Sequence, residues 1–182
     1  MLAKASLAYF LTTTHLPIMA EKLETLEDLF QEQLKDLYSA ENQLLKAMPS
    51  MASEAKDQRL MQSLELHRQE TENQVTRLEQ IAQERSIDLG GHTCKAMQGL
   101  IAEGMETLSE DATDEVKDAA LIASAQRIEH YEIAGYGTAA HYAERLGYDT
   151  AASLLRQTLQ EEQNTDTKLN DLAKSYINQK AM

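Results

Sequence analysis

The segment IEHYE at residues 128–132 places two carboxylates on one face of a predicted helix. Glu129 and Glu132 are three residues apart, and residues at this spacing are neighbours on the surface of an α-helix. Two stacked carboxylates repel each other unless water or a cation lies between them. The pair is ordinary if this face is solvated, whereas it indicates a metal site if the face is buried.

Polar residues also interrupt the apolar stripes of the other three long helical patterns. Glu41 interrupts the first pattern, His67 and Glu70 the second, and Glu162 with Asp166 the last. Each interruption lies near the middle of its pattern, and antiparallel hairpins bring helix midpoints to one level. We therefore expect these side chains to converge inside a bundle of helices.

Several carboxylates in one apolar interior need protons or a cation. A single unpaired buried carboxylate is already costly in free energy, because it loses its hydration. Carboxylate oxygens together with one or two imidazoles are suitable ligands for iron or manganese. The sequence thus predicts a centre of two iron or manganese ions with this ligand set: Glu41, His67, Glu70, Glu129, Glu132, Glu162 and Asp166.

A metal-free interpretation of the same residues stays open. Acidic residues at the edge of a helical stripe are commonly solvated, and a lone histidine such as His67 is more often packed than bound to metal. The polar groups would then form a hydrogen-bonded network with Gln74 that fixes the register of the bundle. Tyr38 and Tyr136 lie one turn from the central glutamates and are candidate donors to them under either interpretation.

We assign the remaining histidines and the single cysteine no ligand role in this centre. His130 points about 100° away from Glu129 around the helix, so we expect it either to support a ligand residue from behind or to make an interhelical contact. Cys94 is expected to be a packed or surface thiol, with a reactive thiolate as the alternative. No acidic residue stands at a useful sequence spacing from the other three histidines, which are His15, His92 and His141.

Helical periodicity in the first half of the chain predicts two long helices. The first begins at a loose capping box formed by Thr25 and Asp28, and Pro49 should kink or interrupt it. The second helix is capped by Asp57 and extends over about residues 58–85.

The second half of the chain predicts two more long helices. One extends over about residues 114–146 and ends at Gly147, and the other follows a very short turn and reaches about residue 178. A short amphipathic segment at 94–108 precedes them. The predicted fold is all-α, a ferritin-like four-helix bundle whose one long crossover carries a short extra helix. An up-and-down bundle with a decorated loop is the alternative.

Composition limits the classes of partner and the compartment. The chain has 182 residues and a formal net charge of −13, which argues against binding to nucleic acid or anionic membranes. No apolar run approaches the roughly 18 residues that span a bilayer. One cysteine permits no intrachain disulfide, so we expect a reducing, cytoplasmic location. We predict that residues 1–20 are an extension, disordered or derived from a misassigned start, and that residues 21–182 form the bundle.

The chain from about residue 26 to 173 resembles the YciE/YciF-type family of bacterial ferritin-like proteins. The resemblance implies a helical homodimer, a link to bacterial stress responses and distant similarity to rubrerythrins and other di-iron carboxylate proteins. The stretches that carry it are QLKDLYSAENQL, HRQETENQVTRLEQI, CKAMQGLIAEG, DAALIASAQRIEHYEIAGYGT and TLQEEQNTDTKLNDLA.

The resemblance also implies roles for some central residues. Against the wider di-iron pattern, Glu41 and Glu129 match the single glutamates, and Glu132 resembles the extra carboxylate of rubrerythrins. The sequence contains no Glu-x-x-His, because the second helix carries the reversed spacing of His67 and Glu70 and the last helix has no histidine. The ligand set would therefore be rich in carboxylates and poor in histidine, which weakens the parallel with rubrerythrin peroxidase chemistry.

Two functions follow as hypotheses. The first is a stress-response oxidoreductase or iron-handling protein that acts on a small oxidant, peroxide or dioxygen, at a di-metal centre. The second is a metal-free dimeric structural or interaction protein whose polar network fixes the bundle. A nucleotide- or cofactor-dependent enzyme is set aside as a third hypothesis, because the sequence has no glycine-rich phosphate loop or nucleophile elbow.

Overall fold

The computed structural model describes residues 22–182, and the only regular elements in that range are helices. The predicted extension, residues 1–20, lies outside the described residues. None of the described helices is both long enough and apolar enough to span a bilayer. The five main helices are α1 (Leu26–Glu54), α2 (Gln58–Arg85), α3 (Lys95–Ser109), α4 (Asp114–Leu146) and α5 (Asp149–Leu172).

The four long helices form a closed ring, which confirms the predicted all-α bundle. Helix α1 packs against α2 and α4, and α5 packs against the same two helices. The crossover from α2 to α4 contains α3, which lies across α1 and α4. Helix α5 continues into a π-helical turn at Ala173–Ile177, and a last short helix, α6, spans Asn178–Lys180.

Local capping chemistry sets the helix ends where the sequence predicts them. The backbone N–H of Asp28 donates to Oγ1 of Thr25 at 3.1 Å, and the Asp28 carboxylate accepts from the N–H of Thr25 at 2.9 Å, which completes the capping box. Asp57 caps α2, and Gly147 ends α4 with a left-handed φ of 76°. Helix α1 continues through Pro49 to its end at Glu54, so the proline does not interrupt it.

Two apolar clusters fill the bundle, one on each side of its middle. The first includes Phe30, Leu34 and Leu37 of α1, and the second includes Leu44, Met48 and Met51 of the same helix. Each of the other long helices likewise contributes apolar residues to both clusters, from opposite ends of the helix. The side chains between the two clusters are polar and buried, and we call them the polar layer: Glu41, His67, Thr71, Gln74, Glu129, Glu132 and Glu162.

The beginning of α3 is fastened to α1 by hydrogen bonds around Cys94. Its backbone N–H donates to Oγ of Ser39 at 2.9 Å, and its carbonyl accepts from Nε2 of Gln43 at 3.0 Å. The thiol is 1% exposed and lies 2.9 Å from the hydroxyl of Tyr131 on α4. Cys94 is therefore a packed thiol that joins three helices.

The expectation that His92 and His141 lack an acidic partner is wrong. Nδ1 of His141 lies 4.0 Å from Oε2 of Glu144, three residues later in α4. Nε2 of His92 lies 2.9 Å from Oδ1 of Asp36, and Oδ2 of the same carboxylate accepts hydrogen bonds from Cys94 and Tyr131. Asp36 precedes His92 by 56 residues. Sequence spacing identified no partner because the long crossover brings the two residues together in space.

Candidate metal centre

All four long helices contribute to the polar layer a side chain that can bind a metal ion. Glu41 comes from α1, His67 from α2, Glu129 and Glu132 from α4, and Glu162 from α5. Each of the five is at most 3% exposed. The face that carries Glu129 and Glu132 is therefore the buried face of α4, where two carboxylates are costly without compensation.

Four of these residues converge on one point. His67, Glu129, Glu132 and Glu162 each offer one ligand atom, and the four atoms lie within 4.8 Å of one another. Nε2 of His67 is 3.2 Å from Oε1 of Glu129 and 3.9 Å from Oε2 of Glu162. Ligand atoms that surround one ion at about 2 Å are about 3–4 Å apart, so the spacing suits a single divalent cation with little rearrangement.

Glu41 extends this group toward the first apolar cluster. The hydroxyl of Tyr136 donates a hydrogen bond to Oε1 of Glu41, and the Glu41 carboxyl also interacts with Glu132. Glu132 is therefore a neighbour both of Glu41 and of the other three ligand residues. This position is suitable for a carboxylate that bridges two ions.

Most polar atoms of the layer lack a hydrogen-bond partner among the described residues. They include both oxygens of Glu132, both oxygens of Glu162 and both ring nitrogens of His67. One carboxylate oxygen of Glu41 and one of Glu129 also lack a hydrogen-bond partner there. Buried polar groups in proteins are nearly always hydrogen-bonded, so this concentration in one place is exceptional. Carboxylate and imidazole atoms of this kind are suitable ligands for iron or manganese.

Burial determines how these carboxyl groups titrate. Desolvation, followed by repulsion from neighbouring carboxylates, raises the pKa of Glu129 and Glu132 well above the usual 4.5. Desolvation also raises the pKa of Glu41 and Glu162, and for Glu162 the contact with His67 opposes the rise. In the absence of a cation these groups hold protons to an unusually high pH. A bound cation would displace those protons.

Glu70 lies at the edge of the centre rather than in the group of four. Its Oε2 is 3.9 Å from Nδ1 of His67, on the opposite side of the ring from Glu129, and it accepts a weak hydrogen bond from Thr165 at 3.5 Å. The contact with His67 lowers the pKa of Glu70. A carboxylate at the second ring nitrogen commonly orients a metal-binding histidine. The assignment of Glu70 as a direct ligand stays a prediction.

Asp166 is not brought into the group either. Its Oδ1 accepts from Nε2 of Gln126 at 3.0 Å and lies 3.4 Å from Nε2 of His130, in the seam between α4 and α5. Asp166 follows Glu162 by four residues, which turns it about 40° around the helix toward α4. The interhelical contact predicted for His130 is confirmed, whereas the ligand role of Asp166 stays a prediction.

Sequence reasoning missed an ion pair beside the polar layer. The guanidinium of Arg77 on α2 donates hydrogen bonds to both oxygens of Glu161 on α5, at 2.6 and 2.7 Å. Nε2 of Gln74 donates to the same carboxylate at 3.3 Å. The pairing joins residues 84 positions apart, and no local pattern points to it. Because the positive charge of Arg77 is paired with Glu161, it does not neutralise the charge of the central carboxylates.

The comparison with known families identifies the chain. The family described as Domain of unknown function (DUF892) matches residues 25–182. The chain belongs to the DUF892 family. Protein YciF of Escherichia coli (strain K12) is 46% identical over 160 residues, which are 87% of this chain and 96% of that protein. The resemblance to YciF-type proteins is thereby confirmed.

Solved structures agree with this assignment. The crystal structure of the E. coli stress protein YciF has a TM-score of 0.83 at 46% identity and covers 86% of this chain and 99% of its own. YcfI of Rhodopseudomonas palustris, described as a putative structural protein, has a TM-score of 0.80 at 43% identity over 84% of this chain and 97% of its own. A Xanthomonas campestris pv. campestris protein shares the fold, with a TM-score of 0.64 at 22% identity over 83% of this DUF892 chain and 92% of its own.

Proposed function

We propose that the polar layer binds two divalent ions, iron or manganese, and that the protein handles iron or consumes a small oxidant during stress. The observation that carries the proposal is the convergence of buried carboxylates whose oxygens lack hydrogen-bond partners. The E. coli relative is described as a stress protein, which agrees with such a role. We also expect this DUF892 protein to act in the cytoplasm as a homodimer.

The charge of the layer supports two ions. Its four buried carboxylates, those of Glu41, Glu129, Glu132 and Glu162, carry four negative charges when ionised, and two divalent cations neutralise that charge. His67, Glu129 and Glu162 would hold one ion, and Glu41 would hold the other. Glu132, which neighbours ligands of both ions, would contribute to both. Iron or manganese bound there would supply redox chemistry with peroxide or dioxygen.

The protein residues have distinct tasks in this arrangement. Glu70 would orient the imidazole of His67 after a small approach, since its Oε2 lies 3.9 Å from Nδ1, and Tyr136 orients Glu41 through its hydroxyl. The two apolar clusters exclude bulk water from the layer on both sides, which strengthens electrostatic interactions inside it. The bundle thus supplies a dry, preorganised site.

A metal-free structural role is the second candidate. The R. palustris relative is described as a putative structural protein, and the Arg77–Glu161 pair shows how polar contacts tie α2 to α5. A network that fixes register would have its members hydrogen-bonded to one another, because unpaired buried groups destabilise the fold. The unpaired oxygens of Glu132 and Glu162 therefore favour the metal-binding proposal.

Metal analysis tests the proposal directly. The wild type, purified without chelator and loaded anaerobically with Fe²⁺ or Mn²⁺, should contain about two ions per chain. The double variant Glu129→Gln, Glu162→Gln keeps the shape of both side chains, and it should lose most of the metal. The double variant Glu103→Gln, Glu106→Gln removes the same charge from the exposed face of α3 and should bind as the wild type does. A folded wild type that stays empty after loading would support the structural role instead.

A further inference from the structure

An apolar cavity adjoins the side of the polar layer where His67 meets Glu129. Every residue that lines it is at most 5% exposed, and its space admits about one water-sized molecule. Helices α1, α2 and α4 all contribute to its wall. Six of the lining side chains are apolar: Leu44, Met48, Met51, Leu64, Ala125 and Ile128.

Among residues 22–182, the polar residues that line this cavity are the two that would bind a metal ion. His67 and Glu129 complete the lining, and their facing atoms, Nε2 and Oε1, lie 3.2 Å apart. The cavity therefore ends directly on the group of four ligand atoms. A molecule held in it would lie next to the ion that His67 and Glu129 bind.

The wall chemistry selects the kind of molecule that fits. A buried water needs two to four polar partners, whereas the methyl groups and thioethers of this wall offer almost none. Hydrogen peroxide is also small, but it would lose hydrogen bonds to water that this wall cannot replace. Apolar cavities of this kind bind apolar atoms such as xenon, and the polarisable sulfurs of Met48 and Met51 add dispersion attraction.

We propose that this cavity is a binding site for dioxygen beside the His67–Glu129 side of the centre. Its role in oxidation rests on the proposed metal centre. The binding of a small apolar molecule can be measured on the metal-free protein, so the two proposals can fail separately. The structure thus favours dioxygen over peroxide as the oxidant that reaches this side of the centre.

Xenon under pressure tests the binding site in crystals of the metal-free full-length chain. The wild type should bind one xenon atom within the cavity. Ala125→Val adds two methyl groups to the wall and should abolish xenon binding, whereas Met51→Ala enlarges the space and should raise the occupancy. Ala140→Val makes the same change on α4 in the other apolar cluster and should leave xenon in place. Ordered water in the wild-type cavity, or no xenon in both the wild type and Met51→Ala, would overturn the proposal.

Oxidation of bound Fe²⁺ tests the role of the site. With the amount of bound iron unchanged, Ala125→Val should raise the KM for dioxygen several-fold and leave oxidation by peroxide at the wild-type rate. Ala140→Val should change neither. If iron and xenon both bind but Ala125→Val does not alter the dioxygen dependence, the assigned role of the cavity is wrong. If no iron binds, the proposed function fails, and the xenon result still decides the binding site.

Discussion

The hydroxyl of Tyr136 on α4 donates a hydrogen bond to Oε1 of Glu41 on α1, and neither side chain is exposed to solvent. This bond satisfies Oε1 of Glu41, whereas Oε2 of the same carboxylate has no such partner among the described residues. The bond links the two halves of the bundle at the level of the polar layer. Tyr136 therefore sets the direction in which the Glu41 carboxylate points.

Replacing Tyr136 with Phe should weaken both stability and metal binding. The change leaves Glu41 without a donor in a dry environment, which should cost about 1–3 kcal/mol in the free energy of unfolding of the metal-free protein. Loss of an orienting partner should reduce metal affinity by roughly 10–100-fold. Urea denaturation and competitive metal titration measure the two effects.

Tyr38→Phe is the matched control for this experiment. Its hydroxyl donates to Glu79 of α2 at 3.0 Å, outside the polar layer, and thus not to the central glutamates as the sequence allowed. The control should change stability by less than about 1 kcal/mol, because water can replace the bond, and should leave metal affinity unchanged. Equal effects of the two variants on metal affinity would show that Tyr136 does not orient Glu41.

The stability of the metal-free protein should fall as pH rises, and metal binding should offset this fall. The pKa of Glu129 and that of Glu132 are raised above 4.5 in the folded state. The folded state therefore binds more protons than the unfolded state at pH values above 4.5, and stability falls as pH rises through this window. Metal ions bind the ionised carboxylates, so metal stabilisation should grow over the same range.

Thermal denaturation from about pH 5 to about pH 8 measures this effect. The Tm of the metal-free protein should fall with increasing pH, and the gap between metal-free and loaded protein should widen. In the metal-free double variant Glu129→Gln, Glu162→Gln, two of the titrating groups are gone and the Tm curve should be flatter. A wild-type Tm that rises steadily with pH without metal would mean that these carboxyl groups are not desolvated as the structure shows.

The sequence predicts the bundle and its polar layer because both arise from local signals. Capping residues such as Thr25 and Asp57 set helix starts within a few residues, and the interruptions at Glu41 and Glu129 follow from periodicity alone. Periodicity assigns a residue to a face but does not identify its partner on another helix. For that reason the contacts of His92 with Asp36 and of Arg77 with Glu161 were not predicted.

Cys94 should behave as a protected, weakly acidic thiol. Burial raises the pKa of its thiol, and the fraction present as reactive thiolate is reduced accordingly. A disulfide reagent at pH 8 should therefore modify Cys94 much more slowly in the native protein than in a short peptide that contains it. Denaturant should restore the peptide rate. Fast native modification would instead favour the reactive-thiolate alternative.

The close approach of α1 to α4 at Gly135 should be essential for both packing and the metal centre. A Cβ atom at Gly135 would lie 2.8 Å from Cδ2 of Leu37, which is fully buried and has little room to move. Gly135→Ala should therefore destabilise the fold by about 1–3 kcal/mol through overpacking. It should also lower metal affinity, because Leu37 and Gly135 lie one turn from Glu41 and Glu132 respectively.

Gly137→Ala separates this packing effect from the general effect of replacing a helical glycine. A Cβ atom at Gly137 would come no closer than 4.0 Å to Cδ2 of Leu159, which is ordinary contact. Alanine favours the helix over glycine by about 0.8–1.0 kcal/mol, so this variant should be more stable than the wild type and should bind metal normally. Urea denaturation and metal titration of both variants provide the comparison. If Gly135→Ala also stabilised the protein, the Leu37 side chain would have to move aside at no cost in free energy. The short distance between α1 and α4 would then not be what positions Glu41 beside Glu132.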